Sequence, residues 1–90
     1  MPRTTAKLDP ALIAIGEALR EAREKAKIDQ SEMARRLDRK QGAVSQWESG
    51  KRCPALRDLP LIAAALQMHP WKLAQQIFEK INLTENGKCK

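Results

Sequence analysis

The chain has 90 residues, of which 42% are hydrophobic, and carries a formal net charge of +6 with a sequence pI near 9.8. That length suits one compact domain with a small core and leaves no room for a second domain. The longest apolar run, Leu59–Leu66, is interrupted by Pro60 and is far short of the ~20 residues of a membrane span. Ala and Leu dominate the apolar set, β-branched residues are sparse, and Trp47, Trp71 and Phe78 are the only aromatics, so the expected class is all-α.

Residues 1–8 are polar and basic without periodicity, and are read as a loose N-terminal arm, a flexible basic tail, with Arg3 and Lys7 wrapping a duplex as the alternative. They contain no apolar stretch of signal-peptide length, which sets the expectation of a cytoplasmic protein. Asp9-Pro10 then combines an N-cap with a proline at the first helical position. Leu12, Ile15, Leu19, Ala22 and Ala26 recur at three- and four-residue steps, predicting a first helix from Pro10 to about Ala26. Glu17, Glu21 and Lys25 fall on its solvent side at i,i+4 spacing, with modest ion-pair support.

Asp29 is the next N-cap, with Glu32 as its capping-box partner. It opens a helix over Gln30–Leu37 whose apolar face is Met33, Ala34 and Leu37. Asp38 occupies the turn, where a residue tolerant of left-handed geometry is required. A third helix, Gln41 to Ser49, turns Val44 and Trp47 inward and stops at Gly50. Asp58 is placed as the cap of a fourth helix from Leu59 to about Gln67, its core face carried by Leu59, Ile62, Ala63 and Leu66. Pro70 starts a fifth helix, expected to end near Asn82, and residues 83–90 are expected to be a disordered polar tail. The domain is therefore set at residues 9–82.

Charge is concentrated. Residues 30–57 hold seven basic side chains, Arg35, Arg36, Arg39, Lys40, Lys51, Arg52 and Arg57, against Glu32, Asp38 and Glu48. This leaves +4 of the total +6 in under a third of the chain. On charge alone a nucleic acid, an anionic membrane and a plain solvated face all remain open. Two short helices joined by a three- to four-residue turn narrow the choice, since residues 30–49 have the helix-turn-helix pattern. With Leu37, Val44 and Trp47 inward, the outer face of the second helix presents Gln41, Gly42, Ser45 and Gln46, with Lys40 at its entrance. A glutamine amide suits the bidentate edge of adenine in the major groove, and Gly42 lets the backbone come close. The competing reading of Gln41 and Gln46 is two solvated amides.

From about Ile15 to Leu73 the sequence resembles the lambda repressor, Cro and Xre-like helix-turn-helix domains. The resemblance is carried by Leu19, Arg23, Ile28, Gln30, Met33-Ala34, Leu37, Val44-Ser45, Trp47-Glu48, Gly50, Lys51, Pro54, Leu59, Ala63, Leu66 and Leu73. It implies a five-helix, lambda-repressor-like all-α bundle. It further implies an ion pair between Arg23 and Glu48, base contacts from Lys40, Gln41, Gly42 and Gln46 with Ser45 beside them, and phosphate contacts from Gln30, Lys51 and Arg52. Ser49 and Arg39 are added to the phosphate-facing set.

Three residues depart from the family pattern. Lys40 replaces the usual Ser or Thr cap of the recognition helix, a loss of ~1 kcal/mol. Arg39 stands where an aliphatic residue is commoner. Trp47 is larger than the usual Ile or Leu and calls for a compensating gap.

The expected function is a sequence-specific regulator of double-stranded DNA. It is read as a repressor binding a pseudo-palindromic operator as a homodimer, with Ile77, Phe78, Ile81 and Leu83 as the candidate dimer surface and a core-only role for the fifth helix as the alternative. An antitoxin or restriction-modification controller uses the same domain, and a protein adaptor that has lost DNA binding is the reading from another class. The two cysteines, Cys53 and Cys89, have no metal-ligand spacing, and His69 is read as a helix-terminal residue. There is no nucleophile–base grouping or phosphate loop, so no enzyme activity, cofactor, metal, small-molecule ligand or membrane partner is expected.

Overall fold

The computed structural model describes the backbone of residues 9–89 and the side chains of residues 9–83. Five α-helices follow in order: α1 (Pro10–Lys25), α2 (Gln30–Leu37), α3 (Gln41–Glu48), α4 (Asp58–Ala65) and α5 (Pro70–Cys89). No strand occurs among the described residues. The all-α, five-helix expectation holds.

Four of the boundaries in the first three helices follow from local chemistry. The Asp9 carboxylate accepts from the Ala11 amide at 2.8 Å, and the Asp29 carboxylate accepts from the Glu32 amide at 2.8 Å, each satisfying an otherwise unpartnered donor of the first turn. Asp38 ends α2 in the left-handed region, at φ 56° and ψ 45°, which aspartate tolerates better than most residues. Gly50 follows α3 at φ +83°, the conformation that favours glycine after a helix. Lys40 precedes α3 with no side-chain capping bond.

The side-chain pairing differs from the expected one at several points. Glu32 does not close a capping box; its carboxylate takes hydrogen bonds from Arg35 and Arg36, because two guanidiniums within one turn offer stronger, charge-assisted donors than a backbone amide. Those bonds hold the Glu32 carboxyl down at about 2. Glu21 pairs across to Lys80 of α5 at 2.7 Å instead of along α1 to Lys25. Ala26, expected on the buried face, is exposed, since the helix ends there.

Asp58 is inside α4 and not in front of it. Its carboxylate accepts from the Ala55 amide at 3.1 Å and from Arg39 at 2.6 Å, so a tertiary contact claims the group that local sequence offers as a cap. The helix ends at Ala65, with Gln67 left-handed at φ 59°. Nor does α5 stop near Asn82; it continues through Cys89, and no proline follows Pro70 to remove a backbone donor. The arm expected over residues 1–8 lies outside the described residues.

Helix α1 packs on α5 and α3, α2 packs on α3 and α4, and α4 packs on α5. Between them lies one core of Ala18, Leu19, Met33, Val44, Trp47, Ile62, Leu66, Leu73 and Ile77, among others. Its small residues set the helix spacing. At Gly16 of α1 a β-carbon would meet the Trp47 carbonyl oxygen, and would lie 2.5 Å from the Glu48 carbonyl oxygen and 2.8 Å from its carbon. The absent side chain is what lets α1 lie directly on the end of α3. Ile77 is 5% exposed and belongs to this core, which corrects its assignment to a dimer surface.

Candidate nucleic-acid interface

Helix α3 is anchored from behind and open in front. Val44 and Trp47 are buried at 1% and 6% exposure, whereas Lys40, Gln41, Gly42, Ser45 and Gln46 are all exposed. The structure thus brings all five expected base-reading residues onto one face. A β-carbon at Gly42 would meet nothing within 4 Å, so this end of the face is open to close approach.

The anchor is an ion pair within the bundle. Arg23 Nε donates to Glu48 Oε2 at 2.7 Å and Arg23 Nη2 to Glu48 Oε1 at 3.1 Å, the two-pronged geometry that guanidinium and carboxylate favour. Both side chains are almost wholly buried. Arg23 Nη1 also donates to the Ile28 carbonyl at 2.8 Å, tying the end of α1 to the start of α2. The Glu48 hydrogen bond, working against burial, holds the Arg23 pKa above its ordinary value.

Gln30 joins this network. Its amide donates to Glu48 Oε1 at 2.9 Å, and its Oε1 accepts from Gln41 Nε2 at 3.5 Å. Ser31 Oγ donates to Gln41 Oε1 at 2.9 Å. Gln30, expected on a phosphate, is therefore half-buried between the ion pair and the exposed face of α3, with one amide hydrogen left over. Gln41 is held against α2, and Gln46 makes no side-chain bond among those described. One face offers a fixed amide and a free one.

The Gln46 carbonyl gathers three donors from the loop after α3. The Lys51 and Arg52 amides donate to the Gln46 carbonyl at 3.0 and 3.2 Å, and Ser49 Oγ donates to it at 3.3 Å. This sets Ser49, Lys51 and Arg52 beside the exposed face of α3.

The basic residues divide by partner. Arg35 and Arg36 are paired with Glu32 and Arg39 with Asp58, while Lys40, Lys51 and Arg52 have no acidic partner among the described residues. Arg39 therefore does not stand free as expected. Its guanidinium bonds Asp58 at 2.6 Å and lies 5.9 Å from the Trp47 ring centroid. Neither partner is signalled by helical periodicity, because both contacts cross between elements.

Outside this face, Phe78, Leu83 and Leu56 are 62%, 74% and 84% exposed. Ile81 is half-buried against the core. A shallow apolar groove is lined by Ile15, Pro54, Leu56, Leu59, Phe78 and Ile81. Among the described residues no helix is long and apolar enough to cross a membrane.

The sequence profile of the helix-turn-helix family matches residues 19–70. Solved structures similar to the chain include two of the clp gene regulator ClgR from Corynebacterium glutamicum. One aligns at 20% identity and a TM-score of 0.78 over 91% of this chain and 87% of that one, the other at 21% and 0.73 over 86% and 99%. A mutant of the restriction-modification controller protein C.Esp1396I aligns at 16% identity and a TM-score of 0.72, over 81% of this chain and 97% of that one. A comparison with curated protein sequences gives no match. The chain belongs to the helix-turn-helix family, in its Cro-type, Xre-like branch, and is a DNA-binding regulator by that membership.

Proposed function

We propose that this helix-turn-helix protein is a cytoplasmic transcriptional repressor that reads a pseudo-palindromic operator as a homodimer. The observation that supports it most is the recognition face: Gln41, Gly42, Ser45 and Gln46 exposed together, flanked by unpaired Lys40, Lys51 and Arg52. In the major groove Gln41 and Gln46 bond base edges, with Lys40 and Ser45 beside them and Gly42 allowing close approach. Lys51, Arg52 and Ser49 bind the phosphates that flank the groove, and the spare amide hydrogen of Gln30 reaches one more.

A single eight-residue helix covers only a few base pairs, so affinity comes from pairing two recognition helices ~34–36 Å apart. Phe78 and Ile81, with Leu56 across the groove, supply the surface for a second copy of the chain, and Leu83 adds exposed apolar area further along α5. This is more exposed apolar surface than a lone terminal helix needs.

Binding to a duplex from the protein's own promoter region, titrated with salt, tests the reading. The expected result is clear preference over scrambled duplex and a log–log salt slope that falls by ~0.9 for each of Lys51→Ala and Arg52→Ala. Equal affinity for scrambled sequence, or slopes unmoved by both substitutions, contradicts it.

A further inference from the structure

Two departures from the family pattern, Arg39 and Trp47, meet in space. The Arg39 guanidinium lies 5.9 Å from the Trp47 ring centroid, within the ~6 Å of a cation–π contact. It bonds Asp58 Oδ1 at 2.6 Å, and Asp58 Oδ2 accepts from the Ala55 amide at 3.1 Å. One side chain thus joins the α2–α3 turn, the inward face of α3 and the first turn of α4. A bulky indole, where a smaller aliphatic residue is usual, carries an arginine head over its ring.

Resting on the DNA-binding reading above, we infer that Arg39 is a positioning residue that sets the recognition helix through Asp58 and Trp47, and that it does not itself bind phosphate. The Asp58 side chain is 8% exposed and that of Arg39 is 36% exposed. Drawing Arg39 out to a phosphate would strand a buried carboxylate with one backbone donor, an arrangement strongly disfavoured in a low-dielectric interior. Burial pushes the Asp58 carboxyl up, yet the Arg39 hydrogen bond, the Ala55 amide and the nearby arginine charges outweigh it and hold it below its ordinary value. Arg39 also leads directly into α3, one residue before the uncapped Lys40. Lys40 supplies no side-chain cap, so the opening turn of α3 is held by its neighbours and not by its own first residue.

The test uses Arg39→Met and Asp58→Ala, each shown by circular dichroism to be folded. In the free protein both variants are expected to speed amide exchange at Ala43, whose N–H bonds the Lys40 carbonyl at 3.0 Å, by about ten-fold relative to the interior of α1. Unchanged exchange overturns the inference whether or not the protein binds DNA.

On DNA, both variants are expected to lose about ten-fold in operator affinity, the scale of one well-placed base contact. Scrambled-duplex affinity and salt slope should stay as in the wild type, and the double variant should be no worse than either single one. A phosphate contact gives the opposite pattern. Arg39→Met then weakens both duplexes with the slope reduced by ~0.9, and Asp58→Ala tightens binding by freeing the arginine. A wild type that binds no duplex, with faster Ala43 exchange in the variants, leaves the positioning role standing and removes the DNA-binding reading.

Discussion

Replacing Gly16 by alanine is expected to destabilise the fold by at least about 3 kcal/mol, the upper end of overpacking costs. The added methyl would meet the Trp47 and Glu48 carbonyls, with the Glu48 oxygen at 2.5 Å. Those atoms are backbone at the end of α3 and cannot rotate away as a side-chain tip would. Relief requires moving α1 off α3 and opening the core around Ala18, Leu19 and Trp47. Helix propensity works the other way, since alanine gains ~0.8–1.0 kcal/mol over glycine inside a helix. Gly42→Ala shows that gain without a steric cost, since its β-carbon would enter open space, though smaller because Gly42 is in the first turn of α3. Thermal and urea melts are therefore expected to show one Gly→Ala change destabilising and the other stabilising. A Gly16→Ala protein as stable as the wild type would mean the two helices are not in contact here.

Truncating Glu48 to alanine is expected to cost about 3–5 kcal/mol, the usual effect of removing one partner of a buried ion pair. The change leaves the Arg23 guanidinium, 10% exposed, without its carboxylate, and it deprives Gln30 of its acceptor. For a domain of this size each kcal/mol moves the melting temperature by roughly 4–8 °C, so a fall of at least about 12 °C should be measured. The paired replacement Arg23→Met/Glu48→Leu should be markedly more stable than Glu48→Ala, since it removes both charges and fills the space. Equal loss in the single and double variants would show that the pair contributes through shape alone.

The sequence displayed most of this fold where structure is determined locally. Asp9-Pro10, Asp29, Asp38 and Gly50 each mark a helix end by a mechanism confined to a few residues, and α1 to α3 lie within a residue of where that punctuation puts them. It was less legible where one group had two possible uses. Asp58 reads as a cap because nothing local reveals that Arg39, 19 residues earlier, claims its carboxylate. Ile77 and Phe78 read alike as apolar surface on α5, yet rotation by one residue buries the first and exposes the second. The far end of α5 was missed because its polar residues carry no amphipathic period.

The recognition face was legible as a set, since helical spacing alone puts Gln41, Gly42, Ser45 and Gln46 opposite Val44 and Trp47. Its wiring was not. The bonds from Gln41 to Gln30 and from Gln30 to Glu48 join positions 11 and 18 residues apart. The importance of Gly16 had a readable signal, a lone glycine inside a strongly helical pattern, which is costly unless something packs against it.

The exposed glutamines of α3 are proposed to read base edges. The most direct test is a salt-titrated binding assay of the wild type and a Gln41→Ala/Gln46→Ala variant on the protein's own promoter region, against scrambled duplex. The variant is expected to lose about 2–6 kcal/mol of operator affinity, one bidentate contact's worth for each glutamine, while its non-specific binding and salt slope stay unchanged. A variant that still prefers the operator as strongly as the wild type would contradict it, and base recognition would have to be sought away from α3.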